Sequence, residues 1–135
     1  MMSDTQMERD SNKEVVERAR GNVLIAGLGL GLVLKPILAK SSVETVLVIE
    51  KHKDVIALVA PAFKDDEKLT IMREDIYTWE PPARHFDTIY FDIWPNISTD
   101  NLKGIHRLHR RFKPALRAKG WMESWMREDL EEGWF

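Results

Sequence analysis

The chain has 135 residues, 44% of them hydrophobic and 31% charged, with a net charge of −2 and no cysteine. That length suits one domain with a real core but is short for a doubly wound enzyme, and the near-neutral charge gives no global field to recruit nucleic acid. Without cysteine there are no disulfides, no thiol catalysis and no thiolate metal sites, which fits a reducing, cytoplasmic setting.

Residues 1–20 are polar, and Asn12 to Arg20 can form a short helix burying Val15, Val16 and Ala19, or remain a frayed terminus. A segment charged in both signs precedes the first apolar run, unlike a signal peptide. The run Val23 to Leu34 is stopped by Lys35 and Pro36, well below the roughly 18 residues of a membrane span. Strand one is expected at Asn22 to Ala26. It breaks into Gly27, Gly29 and Gly31, and a helix with Pro36 near its first turn, or kinked by it, follows.

Thr45 to Glu50 (TVLVIE) is expected as strand two, nearly continuous in hydrophobicity as a strand covered on both faces should be. Asp54 to Phe63 reads as a helix with Val55, Ile56, Leu58 and Val59 inward and Pro61 limiting its end. Lys68 to Arg73 is strand three, and Glu80-Pro81-Pro82 marks a loop too short for a full helix. Phe86 to Asp92 is strand four. Thr99 to Leu116 is the clearest helix, with Leu102, Ile105, Leu108, Phe112 and Leu116 at spacings of three and four. Gly120 is expected to stop it, and Trp121 to Trp125 to form strand five.

Strands alternating with helices imply a parallel sheet, in which ligands bind outside the carboxyl ends of the strands at the switch point. The residues at those ends are Gly27, Gly29 and Gly31, then Glu50, Asp75 and Asp92. Glu50 stands about twenty residues after the glycine turn, where a carboxylate accepts from both ribose hydroxyls. The alternative is a solvated strand end facing Lys51. Asp75 suits an exocyclic adenine amine with Ile76 and Tyr77 along the ring, or else a turn aspartate. The dinucleotide pattern G-x-G-x-x-G would need glycine at Leu32, and no lysine-serine or lysine-threonine pair follows for a phosphate loop. The turn looks built for a nucleoside without phosphates.

Strand–GLGLG–helix, VIE closing strand two, EDI after strand three and FDTIYFD in strand four resemble the class I S-adenosylmethionine-dependent methyltransferases. The resemblance covers residues 20 to 126 in the right order. Within that superfamily VLIAGLGLG is similar to the VLIIGGGDGG of the spermidine synthase branch, and FDTIYFD to its YDVIIVD. The resemblance implies a three-layer Rossmann-like α/β fold over the whole chain, with parallel strands in order 3-2-1-4-5. It places Gly27, Gly29 and Gly31 on the methionine part of S-adenosylmethionine, and Glu50 with Lys51 at the ribose. Asp75 and Ile76 fall at the adenine, and Asp92 beside the sulfonium. Ile25 stands where many methyltransferases carry an acid, and Leu30 where the synthases carry an aspartate. The synthases' N-terminal β-domain and the superfamily's C-terminal hairpin have no counterpart.

Methyl transfer needs in-line positioning and, for a protonated nucleophile, a base. Asp92 is the candidate base, unless it only caps the loop backbone, and Trp94-Pro95 the candidate wall of a substrate pocket. The activity expected is methyl transfer to a small-molecule acceptor, with aminopropyl transfer, a non-catalytic nucleoside-binding module or an enzyme acting on the cofactor itself as alternatives. The basic run His106 to Lys113 reads as the solvated face of an amphipathic helix rather than a nucleic-acid surface, and no metal is expected. Trp121, Trp125, Trp134 and Phe135 crowd the C-terminus, where an uncovered edge strand would favour self-association.

Overall fold

The computed structural model describes residues 12–28, 33–93 and 101–124. Helix α1 (12–18) precedes strand β1 (Gly21–Ala26), α2 (Leu34–Leu38), β2 (Val43–Ile49), α3 (Lys53–Val59), β3 (Leu69–Met72), β4 (Phe86–Phe91), α4 (Asn101–Phe112) and β5 (Leu116–Ser124). The five strands are parallel and lie in the expected order β3-β2-β1-β4-β5.

The period-2 alternation of a strand divides the core between the two faces of the sheet. Val23, Ile25, Val46, Val48 and Tyr90 join Val15, Ala19, Leu34, Ile37 and Val59 of the three N-terminal helices. Leu24, Ala26, Ile49, Ile89 and Phe91 join Leu108 and Phe112 of α4, with Ile76 and Phe86. Both faces are therefore covered, which is why these strands read as continuous apolar runs.

The N-terminal helix is docked rather than frayed. Val15 and Ala19 are buried, and Lys40 Nζ donates to the carbonyls of Val16, Glu17 and Ala19 at 2.7, 3.0 and 2.6 Å. A cation at this end satisfies carbonyls that lack an intrahelical partner. Lys68 Nζ acts likewise beyond α2, reaching the carbonyls of Leu38 and Lys40 at 3.3 and 3.0 Å.

Two expectations need correction. The helix expected to reach Leu116 ends at Phe112, because Pro114 has no amide to continue it; a 3₁₀ turn spans Lys113–Ala115. Strand β5 then starts at Leu116, opposite Phe86, and runs through Gly120 instead of beginning after it. Its register jumps from Phe86↔Leu116 to Thr88↔Trp121, so residues 117–120 bulge, with Lys119 at φ 67°. A Cβ on Gly120 would come within 2.6 Å of the Leu116 side chain, so the bulge folds back on the start of its own strand. Trp121 stacks on Tyr90 at 6.4 Å, whereas Trp125, Trp134 and Phe135 lie outside the described residues.

The second correction concerns α3, which closes into a 3₁₀ turn at Ala60–Phe63 around Pro61. Val59 is buried and Val55 and Ile56 pack partly against the core, but Leu58 is 74% exposed. At about 100° per residue, Leu58 points roughly 100° away from the centre of the stripe formed by the other three.

Lys40→Met should free the α1 carbonyls and destabilise the helix by about 1–2 kcal/mol. Hydrogen exchange should speed up at amides 15–19 while β1 stays protected; unchanged exchange there would refute the capping role.

Candidate functional site

The sheet register sets the site. Ala26 pairs with Ile49 and Phe91, and Ile49 with Met72, so the last residues of four parallel strands stand level. The next residues, Gly27, Glu50, Arg73 and Asp92, form one row along the carboxyl rim. Parallel ladder bonds continue into it: Gly27 N to the Ile49 carbonyl at 2.9 Å, Glu50 N to Met72 at 3.0 Å, and Asp92 N to Ala26 at 2.7 Å. The row crosses the point between β1 and β4 where the chain reverses its direction of winding, the switch point of an open α/β sheet.

Gly27 has φ 93°, and a Cβ there would collide with the backbone carbonyl of Asp92. Its lack of a side chain is thus required by the approach of two strand ends, before any ligand is considered. The turn it makes presents the amide of Leu28 to Glu50 Oε1 at 2.8 Å. The other oxygen, Oε2, accepts from His52 N at 2.9 Å and lies 3.1 Å from His52 Nδ1.

Glu50 is only 7% exposed. Burial pushes its carboxyl pKa up, but the amides of Leu28 and His52 and the His52 ring outweigh it, holding the value below the ordinary one. The group is therefore an ionised, acceptor-only carboxylate at neutral pH. With about four lone-pair sites, it keeps acceptor capacity beyond these partners. His52 and the Leu28 amide were not singled out from sequence. Only the short spacing Glu50-Lys51-His52 hinted that a second donor could reach back.

Asp75 stands two residues past the level row. Its Oδ1 accepts from Tyr77 N at 2.9 Å and its carbonyl from Thr78 N and Trp79 N, the turn-forming role weighed for it. Its Oδ2 lies 3.8 Å from Lys51 Nζ, an exposed pair worth little in stability that nonetheless brings both residues to the same edge. The side chain of Ile76 is buried in the core under the rim, and Arg111 Nη1 holds its carbonyl at 2.9 Å. Asp92 is half-buried at the end of β4, beside Gly27. Gly29, Gly31, Trp94 and Pro95 lie outside the described residues. The structure thus brings Gly27, Glu50, Lys51, Asp75 and Asp92 to one rim, with Ile76 beneath it.

At the end of β5, His109 Nε2 and Ser124 Oγ are 2.6 Å apart, and the His109 ring packs against Phe91. Among the described residues no three histidine, aspartate or glutamate side chains gather as a metal site, and no helix is long and apolar enough to cross a membrane.

Because Glu50 is more acidic folded than unfolded, its stabilising contribution is complete above the unfolded value of about 4.3 and fades as pH falls through the lower folded value. Glu50→Gln leaves one of the two amides facing an NH₂ group and should cost about 1–3 kcal/mol at pH 7. Urea melts at pH 7 and pH 3 should show the gap between the two proteins shrinking in acid. A gap that does not depend on pH would contradict the ionised clamp.

No protein-family model matches the chain, and no curated protein matches it in sequence. Solved structures do match it in fold. A SAM-dependent methyltransferase from Leishmania major aligns over 88% of this chain and 49% of its own, at 13% identity and TM-score 0.65. YcgJ from Bacillus subtilis aligns over 84% and 50%, at 16% identity and TM-score 0.64. Phosphoethanolamine N-methyltransferase 1 from Haemonchus contortus, in complex with phosphoethanolamine and S-adenosylhomocysteine, aligns over 90% and 26%, at 14% identity and TM-score 0.67. The chain spans about half the length of the first two. It has the five-stranded, Rossmann-like fold of the class I S-adenosylmethionine-dependent methyltransferases.

Proposed function

We propose that the rim binds S-adenosylmethionine and that the chain transfers its methyl group to a small-molecule acceptor. The observation that carries this reading is the Glu50 carboxylate, buried, ionised and fixed level with the Gly27 turn at the switch point. Such a group suits a ribose edge, because the acceptor capacity left on its oxygens is already charged and oriented. The methyltransferase structures that share the fold support the same cofactor. Aminopropyl transfer draws no support from them.

When bound, S-adenosylmethionine supplies an electrophilic methyl group on a positively charged sulfur. The chain's own residues then have three tasks. Glu50 and Lys51 hold the sugar edge, and Asp75 offers an acceptor for an amine at the adenine edge. Asp92 follows the end of β4 with its backbone against Gly27, and its carboxylate is the group to attract a cation and take the proton released by a protonated nucleophile. A small acceptor leaves the requirement for positioning with the rim itself.

Calorimetry with S-adenosylmethionine, S-adenosylhomocysteine, decarboxylated S-adenosylmethionine and NAD tests the binding half. The first two should bind and NAD should not; no heat with any sulfur nucleoside would sink the reading. Glu50→Ala should weaken binding by about 1–3 kcal/mol, roughly 5- to 150-fold. Asp92→Asn should spare affinity more than turnover, followed as S-adenosylhomocysteine formed with pools of small amines and hydroxy compounds. Binding without turnover across those pools would leave a nucleoside-binding module instead of an enzyme.

A further inference from the structure

Helix α4 carries Lys103, Arg107, Arg110 and Arg111 and not one carboxylate, and Lys113 follows directly. Its buried stripe is Ile105, Leu108 and Phe112. At about 100° per residue, Lys103, Arg107 and Arg110 cluster on the diametrically opposite side, and all three are exposed. They rise along the axis in steps of about 6 and 4.5 Å.

Four cations elsewhere have a carboxylate partner: Arg20 and Arg117 with Asp87, Lys51 with Asp75, Lys13 with Glu17. Among the described residues no carboxylate pairs with Lys103, Arg107, Arg110, Arg111 or Lys113. The helix dipole accounts for cations in the last turn, where Arg110 and Arg111 sit. It does not account for Lys103, near the opposite end of the described helix.

The stripe also has an aromatic partner. Arg107 lies over the Tyr77 ring, its Cζ 5.4 Å from the centroid, and Arg111 holds the carbonyl of Ile76. Tyr77 follows Asp75 by two residues, so the cationic row runs up to the rim. A spaced row of guanidinium and ammonium groups without carboxylates is the pattern that tracks the phosphates of a flexible polyanion. An anionic membrane would require apolar residues beside the charges, and the apolar side chains of α4 are turned into the core.

We propose that the outward stripe of α4, with Tyr77 beside it, binds single-stranded nucleic acid through its phosphates. The surface is local: a net charge of −2 gives the chain no general attraction for polyanions, so binding must map to this helix. The proposal does not depend on cofactor binding.

Fluorescence anisotropy with labelled oligo-uridine and oligo-thymidine of about 20 nucleotides tests it. Both should bind in 50 mM salt, and a preference between them shows whether ribose hydroxyls contribute. The triple variant Lys103→Gln, Arg107→Gln, Arg110→Gln should lose at least about tenfold in affinity, and its log–log salt slope should flatten by about 2. A charge-matched control, Arg18→Gln, Lys35→Gln, Lys64→Gln, should bind as the parent does; all six positions are exposed, so melting temperatures should agree. Any of four results overturns the proposal: no binding in 50 mM salt, unchanged affinity in a folded α4 variant, equal loss in the control, or equally tight binding of polyglutamate or anionic vesicles.

Discussion

The bond from the Leu28 amide to Glu50 Oε1 ties the turn after β1 to the end of β2, and the rim depends on it. Two local conditions make it possible. Gly27 adopts a φ of 93°, which turns the next amide toward Glu50, and its missing Cβ lets the Asp92 carbonyl close in from β4. Glu50 is then fixed from its other side by the His52 amide. Three strand ends are locked together by one glycine and one carboxylate, without a metal-ligating cluster among the described residues.

That lock works only because the strands end level. Pairing of Ala26 with both Ile49 and Phe91 fixes the heights of β1, β2 and β4. A one-residue slip would send every side chain of a strand to the opposite core, so that Val23, Val48 or Ile89 would meet neighbours packed for other side chains. The hydrophobic alternation that builds the two cores therefore also delivers Gly27, Glu50 and Asp92 to the same rim. Core and site share one constraint, so a strand cannot drift without dismantling both.

This shared constraint explains what was legible in the sequence. Continuous apolar runs bounded by Gly27, Glu50 and Asp92 expressed the parallel strands and the rim, because burial on two faces leaves a pattern in the chain itself, whereas the strand order came from the family resemblance. The bulge at 117–120 left no such pattern; it arises from pairing with β4, and the amphipathic spacing of Leu116 with Phe112 pointed to helix instead. Leu58 was read inward on the strength of its hydrophobicity, although the geometry of α3 had no place for it. Contacts such as Lys40 with α1, or Arg107 over Tyr77, join segments more than twenty residues apart and have no local signature.

The Glu50 clamp also bears on how affinity and stability are linked. Burying a carboxylate is unfavourable unless donors replace its water, and here the chain provides them during folding. A ligand that hydrogen-bonds to the remaining lone pairs meets a charge already desolvated and oriented, so little further cost falls on binding. The same arrangement makes Gly27 a poor probe of ligand contacts, since any side chain there would collide with Asp92 and disturb the fold first. Glu50 is the more informative position: it is where the chain's own hydrogen bonds stop short of using all that the carboxylate can accept.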